Sequence, residues 1–210
     1  MGFPSTAVLT TFAGGDENPL SEGGNWPANV DTDNDGDLQL ISNQAAAATD
    51  AGSSMYWNAT FGPDTEAHCN FTASNDSQSA RVYLRLADAG TTTPDGYMAL
   101  FFYNAALKLL QFWRLDNGTL TQLGSNATIS LTLGDQIGAR IIGSTFEAFR
   151  NGTSLATRTD TTYTAAGPIG LGANHTSVTM DSFGGGTALQ GSLHSSRLAG
   201  GKLVGGRLAG

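Results

Sequence analysis

The sequence predicts an all-β protein, a single two-sheet sandwich of antiparallel strands, and three observations carry that expectation. Charged residues make up 13% of the 210 positions, against roughly 25% in an average soluble domain. Gly, Ser, Thr and Asn take their place, and these are the residues of tight turns. Glu and Lys, on which long surface helices draw, are scarce. Short segments with period-two or fully apolar patterning recur between turn signals, the spacing of a sandwich or barrel. At 40% apolar content one core is expected, with a body over residues 1–187 and a tail over 188–210.

The strands follow in order. Residues 80–87 (ARVYLRLA) alternate, with Val82, Leu84 and Leu86 on one face and Arg81, Tyr83 and Arg85 on the other, as in a half-buried strand. Residues 96–103 (GYMALFFY) are apolar on both faces and predict a central strand. Residues 107–115 (LKLLQFWRL) follow after a short turn, and Asp116-Asn117-Gly118 supplies a hairpin, since Asn and Gly tolerate positive φ. Residues 137–142 and 145–150 give two more strands, and Asn151-Gly152 turns the chain into residues 154–158. Residues 169–183 close the body with a Gly-bounded strand and a final strand from Ser177. Gly184-Gly185-Gly186 is the expected hinge to the tail.

Charge and targeting signals exclude some functions. A net charge of −8 argues against nucleic-acid binding, which needs clustered Lys and Arg. Residues 1–15 hold no basic segment followed by a continuous apolar one, so no secretion signal is read there. No apolar run reaches the roughly 20 residues that span a bilayer. The single cysteine, Cys69 in the strand-like HCNF segment, rules out an internal disulfide framework and is expected to be a small buried residue.

The run from Gly134 to Gly186 joins Gly134-Asp135, the Asn151-Gly152 hairpin, an Asp-x-Thr-Tyr segment (Asp160 to Tyr163) and Gly167-x-Ile169-Gly170-Leu171. It resembles the C-terminal half of concanavalin A-like (laminin G-like) jelly-roll domains. Phe12 to Trp26 is similar to their first strand and loop, and residues 54–61 to the core strand that follows. The resemblance implies a two-sheet jelly roll over residues 10–186 and leaves function open, because lectins, glycanases, adhesion modules and virion proteins share the fold.

Four groups of residues are candidates for chemistry. The glycanase branch of this fold is similar in carrying a Glu-x-Asp-x-x-Glu strand, because retaining hydrolysis needs two carboxyls about 5 Å apart. Glu147 stands alone and no such strand is present, so an enzyme is not expected. Asp31, Asp33, Asp35 and Asp37 alternate around Gly36, the pattern of oxygen ligands for Ca²⁺. The competing reading is a solvated acidic loop, since Ser42 stands where an EF-hand has its bidentate Glu. Trp113, with Tyr103 and Arg114, forms a candidate sugar platform, since sugar faces stack on aromatic rings; the competing reading puts the rings in the core. The dispersed histidines 68, 175 and 194 are read as surface or loop residues.

The tail reads RLAGGKLVGGRLAG over residues 197–210, a five-residue repeat. Arg197, Lys202 and Arg207 recur at one position, and Leu198, Leu203 and Leu208 at the next. Each glycine costs a helix about 1 kcal/mol relative to alanine, and so short a repeat cannot bury its own leucines. An assembly element is therefore expected, the alternative being an unstructured Gly-rich tail. Such Gly-Gly-x-Leu endings resemble those of phage structural proteins. That resemblance implies a non-enzymatic virion surface protein, made in the host cytoplasm and docked by its tail on capsid or tail proteins, or on itself as a trimer. The alternative is a carbohydrate-binding, lectin-like module with a glycan partner. Neither reading involves nucleic acid or membrane insertion.

Overall fold

The computed structural model describes residues 2–189. The repeat residues Arg197, Leu198, Lys202, Leu203, Arg207 and Leu208 lie outside them, as does His194. Fifteen strands are described: β1 (Val8–Thr10), β2 (Leu38–Ile41), β3 (Gln44–Ala47), β4 (Ser53–Tyr56), β5 (Thr65–Ala73), β6 (Gln78–Ala87), β7 (Asp95–Tyr103), β8 (Lys108–Asp116), β9 (Thr119–Gln122), β10 (Ala127–Thr128), β11 (Gln136–Ile142), β12 (Thr145–Arg150), β13 (Thr153–Thr159), β14 (Gly170–Ala173) and β15 (Thr179–Thr187). They form an eight-stranded sheet, β13-β12-β11-β5-β15-β3-β2 with β1 on β15, and a seven-stranded sheet, β10-β8-β7-β6-β14-β4 with β9 on β8. All these pairings are antiparallel, and the architecture is the expected two-sheet jelly roll.

The inner faces of both sheets meet in one apolar core. Phe71, Cys69 and Ala67 of β5 and Phe146 of β12 come from one side; Val82 and Leu84, Tyr97 and Phe101, and Phe112 come from the other. Phe112 meets Phe146 edge to face at 4.7 Å, a favoured aromatic geometry. Cys69 is fully buried as expected, and burial pushes its thiol well above the usual range. Both expected hairpins form: Asn117 and Gly118 have φ of 49° and 75°, Asn151 and Gly152 of 48° and 77°. Positive φ at both central residues is the twist-matched two-residue hairpin that Asn-Gly favours.

Strict alternation fails in β6. Arg85 has φ 50°, and the β6–β7 register shifts between Leu84 and Ala87. This bulge turns Arg85 into the molecule, where its guanidinium donates to the carbonyls of Pro63, Tyr163 and Gly143. It turns Leu86 out to pack with Tyr83 and Met98. Leu86 therefore leaves the face of Val82 and Leu84, and Arg85 leaves that of Arg81 and Tyr83.

Gly184-Gly185-Gly186 is not a hinge. The three residues lie within β15, opposite His68, Ala67 and Glu66 of β5, and all are buried. A Cβ on Gly184 would collide with the His68 ring, and Gly185 holds φ 156° against Glu66 O. Close packing of backbone on side chain, not freedom of motion, requires glycine there. His68 itself, expected near the surface, is 1% exposed.

Candidate functional site

The seven-stranded sheet carries side chains on its outer face as well as on its core face. Strand pairing aligns Tyr56, Gly170, Tyr83, Met98, Trp113 and Gln122 in one row across β4, β14, β6, β7, β8 and β9. The next row is Ser54, Gly172, Arg81, Leu100 and Gln111. The glycines leave the face low along β14, beside the edge strand β4. A second apolar cluster, separate from the core, forms here from Val30, Tyr83, Leu86, Met98 and Leu115, with Tyr56, Leu100 and Trp113 packed against it.

The loop from Asn29 to Asp37 folds over one half of this face, because buried Val30 anchors it on Tyr83 and Met98. Between loop and sheet lies a cleft of about 260 Å³, lined in part by Asp31, Asn34, Asp35, Arg81, Tyr83 and Leu120. At its polar wall Arg81 donates to Asp35 at 2.9 Å. The second Asp35 oxygen accepts from Ser54 Oγ at 2.8 Å, and the Tyr83 hydroxyl joins Arg81 and Ser54. Burial pushes the Tyr83 phenol well up, so it stays protonated at neutral pH. Burial also works against the Arg81 charge, but the Asp35 carboxylate offsets it and the guanidinium stays protonated. The Arg81 Nε is buried without a hydrogen-bond partner.

The four aspartates do not converge. Asp31 is 5% exposed and organises its own turn, accepting from the amides of Asp33 and Asn34 and from Asn34 Nδ2. Asp35 is committed to Arg81 and Ser54. Asp33 is exposed and Asp37 half-buried, and among the described residues no group of three or more His, Cys, Asp or Glu is gathered as ligands. Local turn chemistry engages Asp31 and an ion pair engages Asp35, two of the four carboxylates that the spacing offers to Ca²⁺.

The three platform residues also separate. Trp113 is half-buried on the outer face, its Nε1 donating to Gln111 Oε1 at 3.2 Å. Gln111 and Gln122 both donate to Asn126 Oδ1, so a chain of carboxamides lies beside the indole. Tyr103 has the opposite parity on β7: it packs against the core and meets Phe71 edge to face at 6.1 Å. Arg114 likewise points away from Trp113. It pairs with Asp116 and Asp160 at 2.8 Å each, and Asp160 also accepts from the Tyr97 hydroxyl. Arg114 is thus a clamp on the Asp160-to-Tyr163 segment.

That clamp gives a stability prediction. Burial opposes the charge on Asp160, but hydrogen bonds from Thr162, Tyr97 and Arg114 outweigh it and hold the carboxyl below its ordinary value. A depressed carboxylate stabilises the fold above its unfolded pKa, and that contribution is lost as pH falls through the folded pKa. Asp160→Asn is expected to cost about 1–3 kcal/mol at pH 7 in urea unfolding, with the difference from the parent shrinking below about pH 4.

Sequence reasoning missed Arg81, Tyr83, Asn34 and the Gln111–Asn126–Gln122 chain. A signal existed for the first two: in β6 they are a cation and a ring opposite Val82 and Leu84. The carboxamides carry none, since isolated Gln and Asn mark surface anywhere.

No protein-family model matches the sequence, and no curated protein matches it. By structure the chain is similar to a Bacillus subtilis protein of unknown function with a galectin-like fold, at TM-score 0.56 and 12% identity over 74% of this chain and 88% of that one. It is similar to carbohydrate-binding module CBM66 from Bacillus subtilis, at 0.51 and 15% over 67% and 81%. It is also similar to a prokaryotic β-1,3-1,4-glucanase (lichenase) derived from a mouse hindgut metagenome, at 0.54 and 11% over 83% and 92%. At such identities the likeness is one of fold, the concanavalin A-like jelly roll that residues 134–186 resemble.

Proposed function

We propose that the chain is a carbohydrate-binding, lectin-like module whose ligand lies on the outer face of the seven-stranded sheet, from the Asp35–Arg81 cleft to Trp113. The observation that carries this reading is the pairing of an accessible indole with three linked carboxamides on one flat face. Apolar sugar faces stack on an aromatic ring, while hydroxyls exchange hydrogen bonds with fixed polar groups. Arg81 and Gln111 stand two strand spacings apart, about 10 Å, with Leu100 between them. That span suits a short oligosaccharide lying across the strands. With Arg81 neutralised by Asp35, Asp31 leaves the cleft net negative, which favours a neutral glycan over an anionic one.

Binding without hydrolysis is part of the same proposal. Its strands present Arg81, Tyr83, Met98, Leu100, Gln111 and Trp113, none of them a carboxylic acid. Asp31 and Asp35 come from the loop with their oxygens occupied. The virion-surface reading rests on residues 188–210 and draws no support from the described body. A glycan array probed with the full chain tests the proposal. Signal confined to neutral glycans is expected; absence of binding, or preference for sialylated or uronic-acid glycans, contradicts it.

A further inference from the structure

Away from the cleft, the outer face of the eight-stranded sheet buries an unexplained histidine. On β5, Glu66 and His68 share that face, and each is at most 1% exposed. His68 sits in a slot between Gly138 of β11 and Gly184 of β15, its cross-strand neighbours. The floor and walls of the slot are sheet. Its roof is the N-terminal segment, residues 3–7: the Phe3 ring meets His68 edge-on at 6.2 Å and stacks on Phe149 at 4.0 Å.

One carboxylate oxygen fastens that roof. Glu66 Oε1 accepts from Ser5 N at 2.5 Å, Thr6 N at 2.7 Å and Thr6 Oγ1 at 2.8 Å. The other oxygen, Oε2, is buried without a partner, and neither His68 nitrogen makes a hydrogen bond within geometric limits. The charged groups around the slot are few. Arg140 of β11 stands opposite Glu66, bound to Glu147 of β12 at 3.1 Å and lying over Phe149 at 4.8 Å. Asp181 of β15 stands opposite Asn70. Residues 3–7 contribute no charge.

We infer that residues 3–7 form an acid-released latch: a proton on His68 drives the segment off the sheet while the sandwich stays folded. An imidazolium in this slot lacks water and a fitted acceptor, with the Arg140 cation on the neighbouring strand. It regains hydration only if the roof lifts, because the other walls are the sheet itself. The alternative relief is for the ring to draw on the Glu66 carboxylate, which loosens the three bonds holding Ser5 and Thr6. Both routes open the same segment. The titration has the matching sign: burial lowers the His68 pKa, outweighing Glu66 and the Thr6 backbone, which favour the charged ring. The closed latch therefore binds fewer protons than the open one. Its stability is full above about pH 6.5, the ordinary histidine value, and is lost as pH falls below it. Opening uncovers Phe149 and releases Leu189, whose amide donates to Ser5 Oγ at 3.1 Å.

Amide hydrogen exchange on the full chain, compared at pH 7.5 and 5 after correction for intrinsic rates, tests the latch. Protection at Ser5 and Thr6 is expected to fall over the His68 titration with a slope that approaches, and does not exceed, about tenfold per pH unit, with β6 to β8 unchanged. His68→Gln, which cannot titrate in this range, is expected to remove that pH dependence. Should this variant not fold, the His68 ring resonances of the parent supply the check, since their titration midpoint must coincide with that of the exchange. Protection independent of pH, loss of protection at the same pH across β6 to β8, or separate midpoints would each overturn the inference.

Discussion

Replacing Arg85 by methionine is expected to lower the stability of the sandwich by about 3–5 kcal/mol, the cost of removing one partner from a buried charged network. The Arg85 side chain is 1% exposed, with Asp64 at 3.8 Å, and its guanidinium is the donor shared by Pro63, Gly143 and Tyr163. These residues lie on three separate connections, so one side chain ties together loops remote in sequence. Methionine fills much of the volume but leaves the three carbonyls without their shared donor. Lysine keeps the charge yet lacks the planar fork, and Arg85→Lys is expected to recover only a small part of the loss. Urea unfolding at pH 7 measures both; a parent-like midpoint for the methionine variant would remove Arg85 from the account of the fold.

The second large effect falls on binding. Trp113→Ala is expected to weaken affinity for a neutral oligosaccharide by about 30-fold, roughly 2 kcal/mol, as for a central aromatic contact. Tyr103→Ala is the matched contrast. Its ring packs on the core side of the same sheet, so it should lower the unfolding midpoint and leave affinity intact. Isothermal titration of both variants separates the two faces. Equal loss from both would mean that stability, not contact, governs binding.

These contrasts show what alternation can and cannot reveal. The apolar and polar parity of residues 80–84 identifies a strand and its core face, and Asn117-Gly118 and Asn151-Gly152 name their own hairpins. The bulge at Arg85 is different: nothing in RLA marks it, because the positive φ follows from three carbonyls brought close by distant loops. The same limit hides the latch over His68, whose burial depends on glycines in two other strands. Gly184 to Gly186 mislead for a related reason, since glycine serves close packing as well as freedom. Trp113, Tyr103 and Arg114 share the chemistry of a sugar platform, yet parity along β7 and β8 sends them to opposite faces. The aspartates of residues 31–37 offer ligand spacing, but spacing does not disclose that Asp35 meets an arginine from β6. Short strands such as β2 and β3, LQLI and QAAA, are too brief for a period and are formed by pairing with each other and with β15.

The central claim is that the outer face of the seven-stranded sheet is the binding face, and backbone amide shift mapping during titration with a neutral oligosaccharide tests it most directly. Perturbations are predicted to gather at residues 31–35, 81–83, 98–100, 111–113 and 120–126, in one connected patch. Shifts confined to the eight-stranded sheet, or to the Asp160-to-Tyr163 clamp, would contradict the claim.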